Sequence, residues 1–313
     1  MIQHLLVPVD RSKFGEHAVP WALSLAKRCD AQVHLVHVQT PVTNEFARLS
    51  GSLIEPYDVV VRKENEGYLS RLATLIKEET GADAQTSLLE GEISECLRRK
   101  AVSLENSLFI MTTHGRGPLR RFWLGSVADR MVRQSSVPVM LVRPSLAPLD
   151  IRRDCVVQHA LVPLDGSSLA EGILPHIVPL CQAWGAELTL LQMIEPDRTL
   201  LEHQMVANLA PSALPLKSEL ERIDRLHKQE AQTYLAGACE RLQGQGLTVH
   251  TSVMSDVSPG PAILKTAEES NQDLIALATH GRGGLSRFFL GSVADKVIRG
   301  TDNPVLVYRP ESE

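Results

Sequence analysis

The chain carries one signature twice. Thr113-His114-Gly115-Arg116-Gly117 returns as Thr279-His280-Gly281-Arg282-Gly283, and each copy is followed at the same distance by Leu-Gly-Ser-Val-Ala-Asp, at Leu124–Asp129 and Leu290–Asp295. The two halves also open alike, with His4-Leu5-Leu6-Val7-Pro8-Val9-Asp10 matching His159-Ala160-Leu161-Val162-Pro163-Leu164-Asp165. This restricts the fold to two copies of one domain. A chain of 313 residues divides into halves of about 150 residues, each long enough to bury its own core. The expected boundaries are residues 1–144, a proline-bearing linker over 145–157, and residues 158–311.

Each opening run is apolar and ends in an aspartate followed closely by Ser12 or Ser167, as a buried strand leading to a helix cap would be. Helical spacing follows over Ser12–Cys29 and Ser168–Trp184, then second strands over Val33–Val38 and Glu187–Ile194. The copies diverge next, over Thr40–Asp58 and Glu195–Leu216. Between Asp10 and Gly115 there are 105 positions and between Asp165 and Gly281 there are 116, so the second copy has a net insertion of 11 residues, assigned to this stretch. Long helices are expected over Glu64–Thr80 and Leu216–Gln243, the latter stopped by Gly244-Gln245-Gly246. Third strands (Gln85–Leu89, Thr248–Met254), short helices (Glu92–Ser103, Gly260–Ser270), fourth strands (Leu108–Thr112, Leu274–Ala278), a helix from Ser126 or Ser292, and last strands (Val137–Val142, Pro304–Tyr308) complete each copy. Strands alternating with helices and lacking polar alternation predict an α/β fold: two tandem Rossmann-like domains, each with a five-stranded parallel sheet flanked by helices.

Several functional classes fall away. The formal net charge is −5 and aromatics make up 4% of the chain, which favours neither a nucleic-acid nor an acidic-membrane partner. Cys29, Cys96, Cys155, Cys181 and Cys239 are dispersed without a CxxC pair, the pattern of a reducing compartment. No apolar run reaches about 18 residues and no secretory signal opens the chain, so a cytoplasmic protein with no membrane partner is expected. GxxxxGK[ST], GxGxxG and GxSxG are all absent. His34 and His37 point to opposite faces of a strand, which makes them poor joint metal ligands and suits a structural role. The leucines of the Leu216–Gln243 helix read as core, and Glu221, Arg222, Arg225, Lys228 and Glu230 as its solvated face.

In an open parallel sheet, ligands sit beyond the carboxyl ends of strands where the winding reverses. Three elements converge there in each half: the aspartate after strand one, the end of strand two, and the glycine loop after strand four. Gly115 and Gly117 lack Cβ, so their amides can approach an anion. Gly125-Ser126 then opens a helix whose first amides, dipole and serine hydroxyl favour a phosphate. Gly281, Gly283, Gly291 and Ser292 repeat the arrangement. Plainer readings stand beside this one. Asp10 and Asp165 could cap the following helices, the histidines could be loop hydrogen-bond partners, and the arginines could be surface charge.

These residues resemble the universal stress protein family, in its tandem-domain form, from Leu5 to Val142 and again from Ala160 to Val307. The family's ATP-binding signature is Gly, two residues, Gly, nine residues, then Gly and Ser or Thr. Gly115 and Gly281 match its second glycine, and Gly125-Ser126 and Gly291-Ser292 match its end. Thr112 and Ala278 stand where the first glycine would be. The resemblance implies that Asp10 and Asp165 lie near ribose and adenine, that the backbone at Val38 and Met193 faces the adenine edge, and that His114, Arg116, His280 and Arg282 flank the phosphates. The implied nucleotide-binding set also includes Pro8, Val9, Gly117, Val127, Pro163, Leu164, Gly283, Gly284 and Val293. Pro118 replaces the equivalent of Gly284, fixing φ and removing a donor, so the second half is expected to be the better site.

The resemblance implies a stress-response protein that binds ATP, with Mg²⁺ as its accompanying ion, without enzymatic activity or with weak hydrolysis. The alternative is a stress-response scaffold whose degenerate pockets hold no nucleotide. A true ATPase lacks an evident base aimed at the γ-phosphate. The family's last strands commonly pair, here Val137–Val142 with Pro304–Val307 inside one chain, which leaves dimerisation of two chains open.

Overall fold

The computed structural model describes residues 2–40, 54–114, 124–194, 214–280 and 290–310. They form two compact units: residues 1–156 with 302–311, and residues 157–301.

The first unit runs β1 (His4–Pro8), a 3₁₀ turn (Gly15–Ala18), α1 (Val19–Cys29), β2 (Gln32–Gln39), α2 (Ile54–Thr80), β3 (Ala84–Glu90), α3 (Ile93–Val102), β4 (Ser107–Thr112), α4 (Ser126–Gln134) and β5 (Val139–Val142). Its strands lie in the order β3-β2-β1-β4-β5, all parallel. The central strands are mostly apolar and buried because helices cover both faces: Leu5, Leu6, Val7, Leu35, Leu108, Phe109 and Ile110 have no exposed surface. The edge strand β3 is largely half-exposed.

The second unit repeats the plan with β6 (His159–Leu164), α5 (Ser168–Glu171), α6 (Leu174–Trp184), β7 (Glu187–Ile194), α7 (Leu214–Gln243), β8 (Val249–Ser255), α8 (Pro259–Glu269), β9 (Leu274–Ala278) and α9 (Ser292–Gly300). Its order is β8-β7-β6-β9, again parallel. The expected last strand, β10 (Val305–Tyr308), groups with the first unit. It pairs antiparallel with β5, with Val305 opposite Leu141, Leu306 opposite Met140 and Val307 opposite Val139. These are the two segments singled out above as partners.

Local chemistry explains where elements differ from expectation. The first helix of each copy is divided, because Pro20 and Pro175 sit in the first turn of α1 and α6, where a missing N–H costs nothing. The long helices begin earlier than periodicity indicates, at Ile54 and Leu214, with Pro56 and Pro215 likewise in the first turn. Gly81 (φ +75) follows α2 and Gly246 (φ +85) follows α7 as the expected left-handed stop. The inserted residues fall between the second strand and the middle of the long helix, partly before the helix and partly as extra turns at the start of α7: 29 positions separate Gln39 from Tyr68, and 40 separate their counterparts Ile194 and Tyr234. The divergent stretches over 41–53 and 195–213 lie outside the described residues.

The segment expected as a linker docks on the first unit. Arg28 holds Asp154 through both guanidinium nitrogens at 2.7 Å, Ser24 donates to Asp154 at 2.6 Å, and Ile151 and Cys155 are buried.

His34 and His37 are structural, as their register implies. His37 Nδ1 donates to the Val9 carbonyl at 2.7 Å, and His34 Nε2 shares a hydrogen bond with His4 Nδ1 at 3.0 Å. Burial, followed by the His4 ring and Lys100, pushes His34 from 6.5 down to about 4. Folding therefore favours the neutral ring, and the unfolded chain binds more protons between these values. The contribution is complete above pH 6.5 and is lost as pH falls through 4, about 3 kcal/mol in all. Urea denaturation across this range should show the loss for the wild-type chain and a flatter acid limb for His34→Gln.

Candidate functional site

In both units the sheet order reverses between the first and fourth strands, and these two strands part early. Pairing of β1 with β4 ends at Leu6–Phe109, and pairing of β6 with β9 ends at Leu161–Ile275. Pro8 and Pro163 follow; a proline cannot donate to a ladder, so it suits a strand that has lost its neighbour on one side. The divergence leaves a crevice at the carboxyl ends, where α/β folds place ligands.

In the second unit this crevice is a cleft of about 790 Å³. Its walls include Pro163, Leu164 and Asp165 from the end of β6, Met193 from β7, Ala278 and His280 from the end of β9, and Gly291, Ser292 and Val293 from the start of α9. All nine were singled out from the sequence, and one cavity brings them together. Gly281, Arg282, Gly283 and Gly284 lie outside the described residues, as do Gly115, Arg116, Gly117 and Pro118.

The aspartate and serine after each first strand act jointly. Ser167 donates to Asp165 Oδ1 through its backbone N–H (2.9 Å) and its hydroxyl (2.6 Å), and its Oγ accepts from Ala170 N–H at 3.1 Å. Ser12 and Asp10 repeat this, with Gly15 N–H donating to Ser12 Oγ at 2.9 Å. The serine is therefore the cap and the aspartate orients it, so the sequence reading of the aspartates as caps holds only indirectly.

Gly291 is required by close approach. Its N–H donates to the Thr279 carbonyl at 2.9 Å, and a Cβ there would lie 2.7 Å from that oxygen. Gly125 meets Thr113 in the same way, with a hydrogen bond of 2.7 Å and a hypothetical Cβ at 3.0 Å. The first intrahelical bond of α9 is Asp295 N–H to Gly291 O, leaving the Ser292, Val293 and Ala294 amides without a helical acceptor. Asp295, in that first turn, pairs with Arg299 at 2.9 Å, which offsets its charge near an anion-favouring terminus.

Three buried polar atoms of the cleft lack a hydrogen-bond partner among the described residues: Gln192 Oε1, on a residue only 8% exposed, the Tyr234 hydroxyl oxygen and His280 Nε2. His280 Nδ1 is engaged by Thr279 Oγ1 at 2.9 Å, so its free nitrogen belongs to a fixed ring. Burial, with Glu171 and Asp165 nearby, raises the Tyr234 phenol above its ordinary value and keeps it a neutral hydroxyl.

In the first unit Pro8, Val9 and Asp10 end β1, Val38 lies near the end of β2, buried Thr112 ends β4, and Gly125, Ser126 and Val127 begin α4. His114 Nδ1 is buried without a partner among the described residues.

Sequence reasoning missed one wall of the second-unit cleft. His227, Glu230, Ala231 and Tyr234 of α7 face it together with Gly166, Ile194 and Ile263. The four helix positions follow i, i+3, i+4, i+7 spacing, a face visible in the sequence. Glu230, expected on a solvated face, is exposed but stands at the cleft.

Comparison with known proteins settles the family. The universal stress protein family model matches residues 1–143 and again 157–309. The chain belongs to the universal stress protein family. It is 27% identical over 309 residues to a universal stress protein of Mycolicibacterium smegmatis, covering 98% of this chain and 97% of that one. A Mycobacterium tuberculosis universal stress protein is 28% identical over 317 residues, with the same coverages. The crystal structure of a universal stress protein from Archaeoglobus fulgidus shares the fold over 98% of both chains, with a TM-score of 0.68 at 21% identity. As a universal stress protein, the chain has the expected tandem α/β architecture. No helix among the described residues is long and apolar enough to cross a membrane.

Proposed function

We propose that this universal stress protein binds an adenine nucleotide, with ATP the expected form, in the cleft of its second unit. The observation that carries the reading is the cleft itself: one cavity joins the strand-end Asp165, the fixed His280, the unpartnered Gln192 carbonyl oxygen and the open amides of α9. Its volume of about 790 Å³ lies within the roughly 300–1,000 Å³ of small-ligand pockets. The α9 terminus and Ser292 hydroxyl supply donors for phosphate, Asp165 supplies an acceptor for ribose hydroxyls, and Met193 and Ile194 supply an apolar edge for the base. No group of three or more His, Cys, Asp or Glu among the described residues could hold a metal ion. Mg²⁺ would therefore enter with the phosphates, with the Ser292 hydroxyl as a protein oxygen beside it.

Calorimetric titration of the full chain with Mg-ATP tests this. Saturable binding is expected, weakened about tenfold by Asp165→Asn, since a charge-assisted hydrogen bond contributes about 1.5–3 kcal/mol. Absence of heat and of any melting shift would favour the scaffold reading, which draws on the Ala278 side chain in the cleft wall at the position of the signature's first glycine.

A further inference from the structure

We infer that the first unit contains a second copy of this cleft that is latent, closed by the Arg11 side chain, and that this residue sets how many nucleotides the chain takes. The inference rests on the nucleotide reading of the second unit.

Strand register sets the correspondence between the copies. Leu5 pairs with Val33 and Val33 with Ala84; Ala160 pairs with Leu188 and Leu188 with Val249. Hence Asp10-Arg11-Ser12 corresponds to Asp165-Gly166-Ser167, and Gln39 to Ile194. The buried face of α2 (Leu69, Leu72, Ile76) corresponds to that of α7 (Leu235, Ala238, Leu242), which aligns Glu64-Asn65 with Glu230-Ala231.

In the second unit Gly166, Ile194, Glu230 and Ala231 line the open cleft. Their first-unit counterparts are bonded to one another. Arg11 Nη1 donates to Asn65 Oδ1 at 3.2 Å and to Glu64 Oε2 at 3.4 Å, and Nη2 reaches the same Glu64 oxygen at 3.4 Å. Asn65 Nδ2 continues to Gln39 Oε1 at 3.2 Å. This chain of bonds ties the β1 turn to the long helix and the end of β2, across positions that stand apart in the second unit. Asn65 is 2% exposed, so a ligand displacing Arg11 would strip a partner from a buried amide. A further pair points the same way: His37, the counterpart of Gln192, is satisfied by Val9, whereas the Gln192 oxygen has no partner among the described residues.

Backbone geometry supports a specific role for Arg11. It holds φ +66, and Gly166 holds φ +83. This left-handed region favours glycine, yet the first copy places there the side chain long enough to bridge the crevice.

Equilibrium dialysis of the full chain against labelled ATP counts the sites. One nucleotide per chain is expected for the wild type, two for Arg11→Gly, and one again for Arg11→Gly combined with Asp10→Asn. Arg11→Gly installs the residue the second unit already uses in that conformation, so folding is retained. Two sites in the wild type, or one in both wild type and Arg11→Gly, overturns the inference and leaves the second-unit reading standing. No site in the wild type but one in Arg11→Gly upholds the inference and overturns that reading. No binding by any variant overturns both.

Discussion

Gly291→Ala should lower the stability of the second unit by about 2–3 kcal/mol, near the top of the range for overpacking, and weaken ATP binding about thirtyfold. Two effects oppose each other here. Gly291 has φ −57, which alanine adopts without strain, and restricting the unfolded chain would by itself favour alanine by about 0.4–1 kcal/mol. The added Cβ, however, would lie 2.7 Å from the backbone oxygen of Thr279, which is held by β9 and by the Gly291 N–H. The overlap wins because that oxygen cannot move aside as a flexible side chain would. Relief requires a shift of the first turn of α9, which carries the Ser292 and Val293 amides away from the cleft. Scanning calorimetry and titration with Mg-ATP measure the two losses, and a variant matching the wild type in both would refute the account. Gly125→Ala, with its Cβ at 3.0 Å from Thr113 O, should be the milder of the two.

Leu306→Ala should destabilise the first unit by about 2–5 kcal/mol, the usual range for a buried leucine truncated to alanine, although it lies near the far end of the chain. Leu306 has no exposed surface and stands opposite Met140 in the antiparallel pair of β10 with β5. Hydrogen exchange resolves the effect better than a single melting temperature, because a chain with two units need not unfold in one step. Faster exchange is expected at Met140, Leu141 and Val142. Acceleration confined to β6 and β7 would show that β10 supports the other unit instead.

Much of the fold was legible because its signals are local. Strands buried on both faces are continuous apolar runs, Gly81 and Gly246 stop helices through their own backbone, and the serine after each first-strand aspartate caps the helical turn beyond it. The duplicated signature made each reading available twice. The nine cleft residues named from the sequence were legible for the same reason: each lies at the end of a strand or the start of a helix. The α7 wall was harder. Its i, i+3, i+4, i+7 face shows that a helix has a special side, but periodicity cannot say which crevice that side meets. Pro118 against Gly284 suggested unequal halves, but both lie outside the described residues. The asymmetry that the structure does describe is Arg11 against Gly166, a difference of one letter whose consequence depends on Glu64, Asn65 and Gln39.

The sequence by itself determined two copies of an α/β domain, the strand and helix order in each, and the strand-end positions where a nucleotide would be met. These follow from hydrophobic periodicity, capping and glycine placement, which act over a few residues. Tertiary structure alone decided that the crevice is open in one copy and that a side chain bridges it in the other. Those outcomes depend on hydrogen bonds between residues more than 20 positions apart, such as Arg11 with Asn65 and Asn65 with Gln39. Such bonds exist only once the sheet has brought its strand ends together.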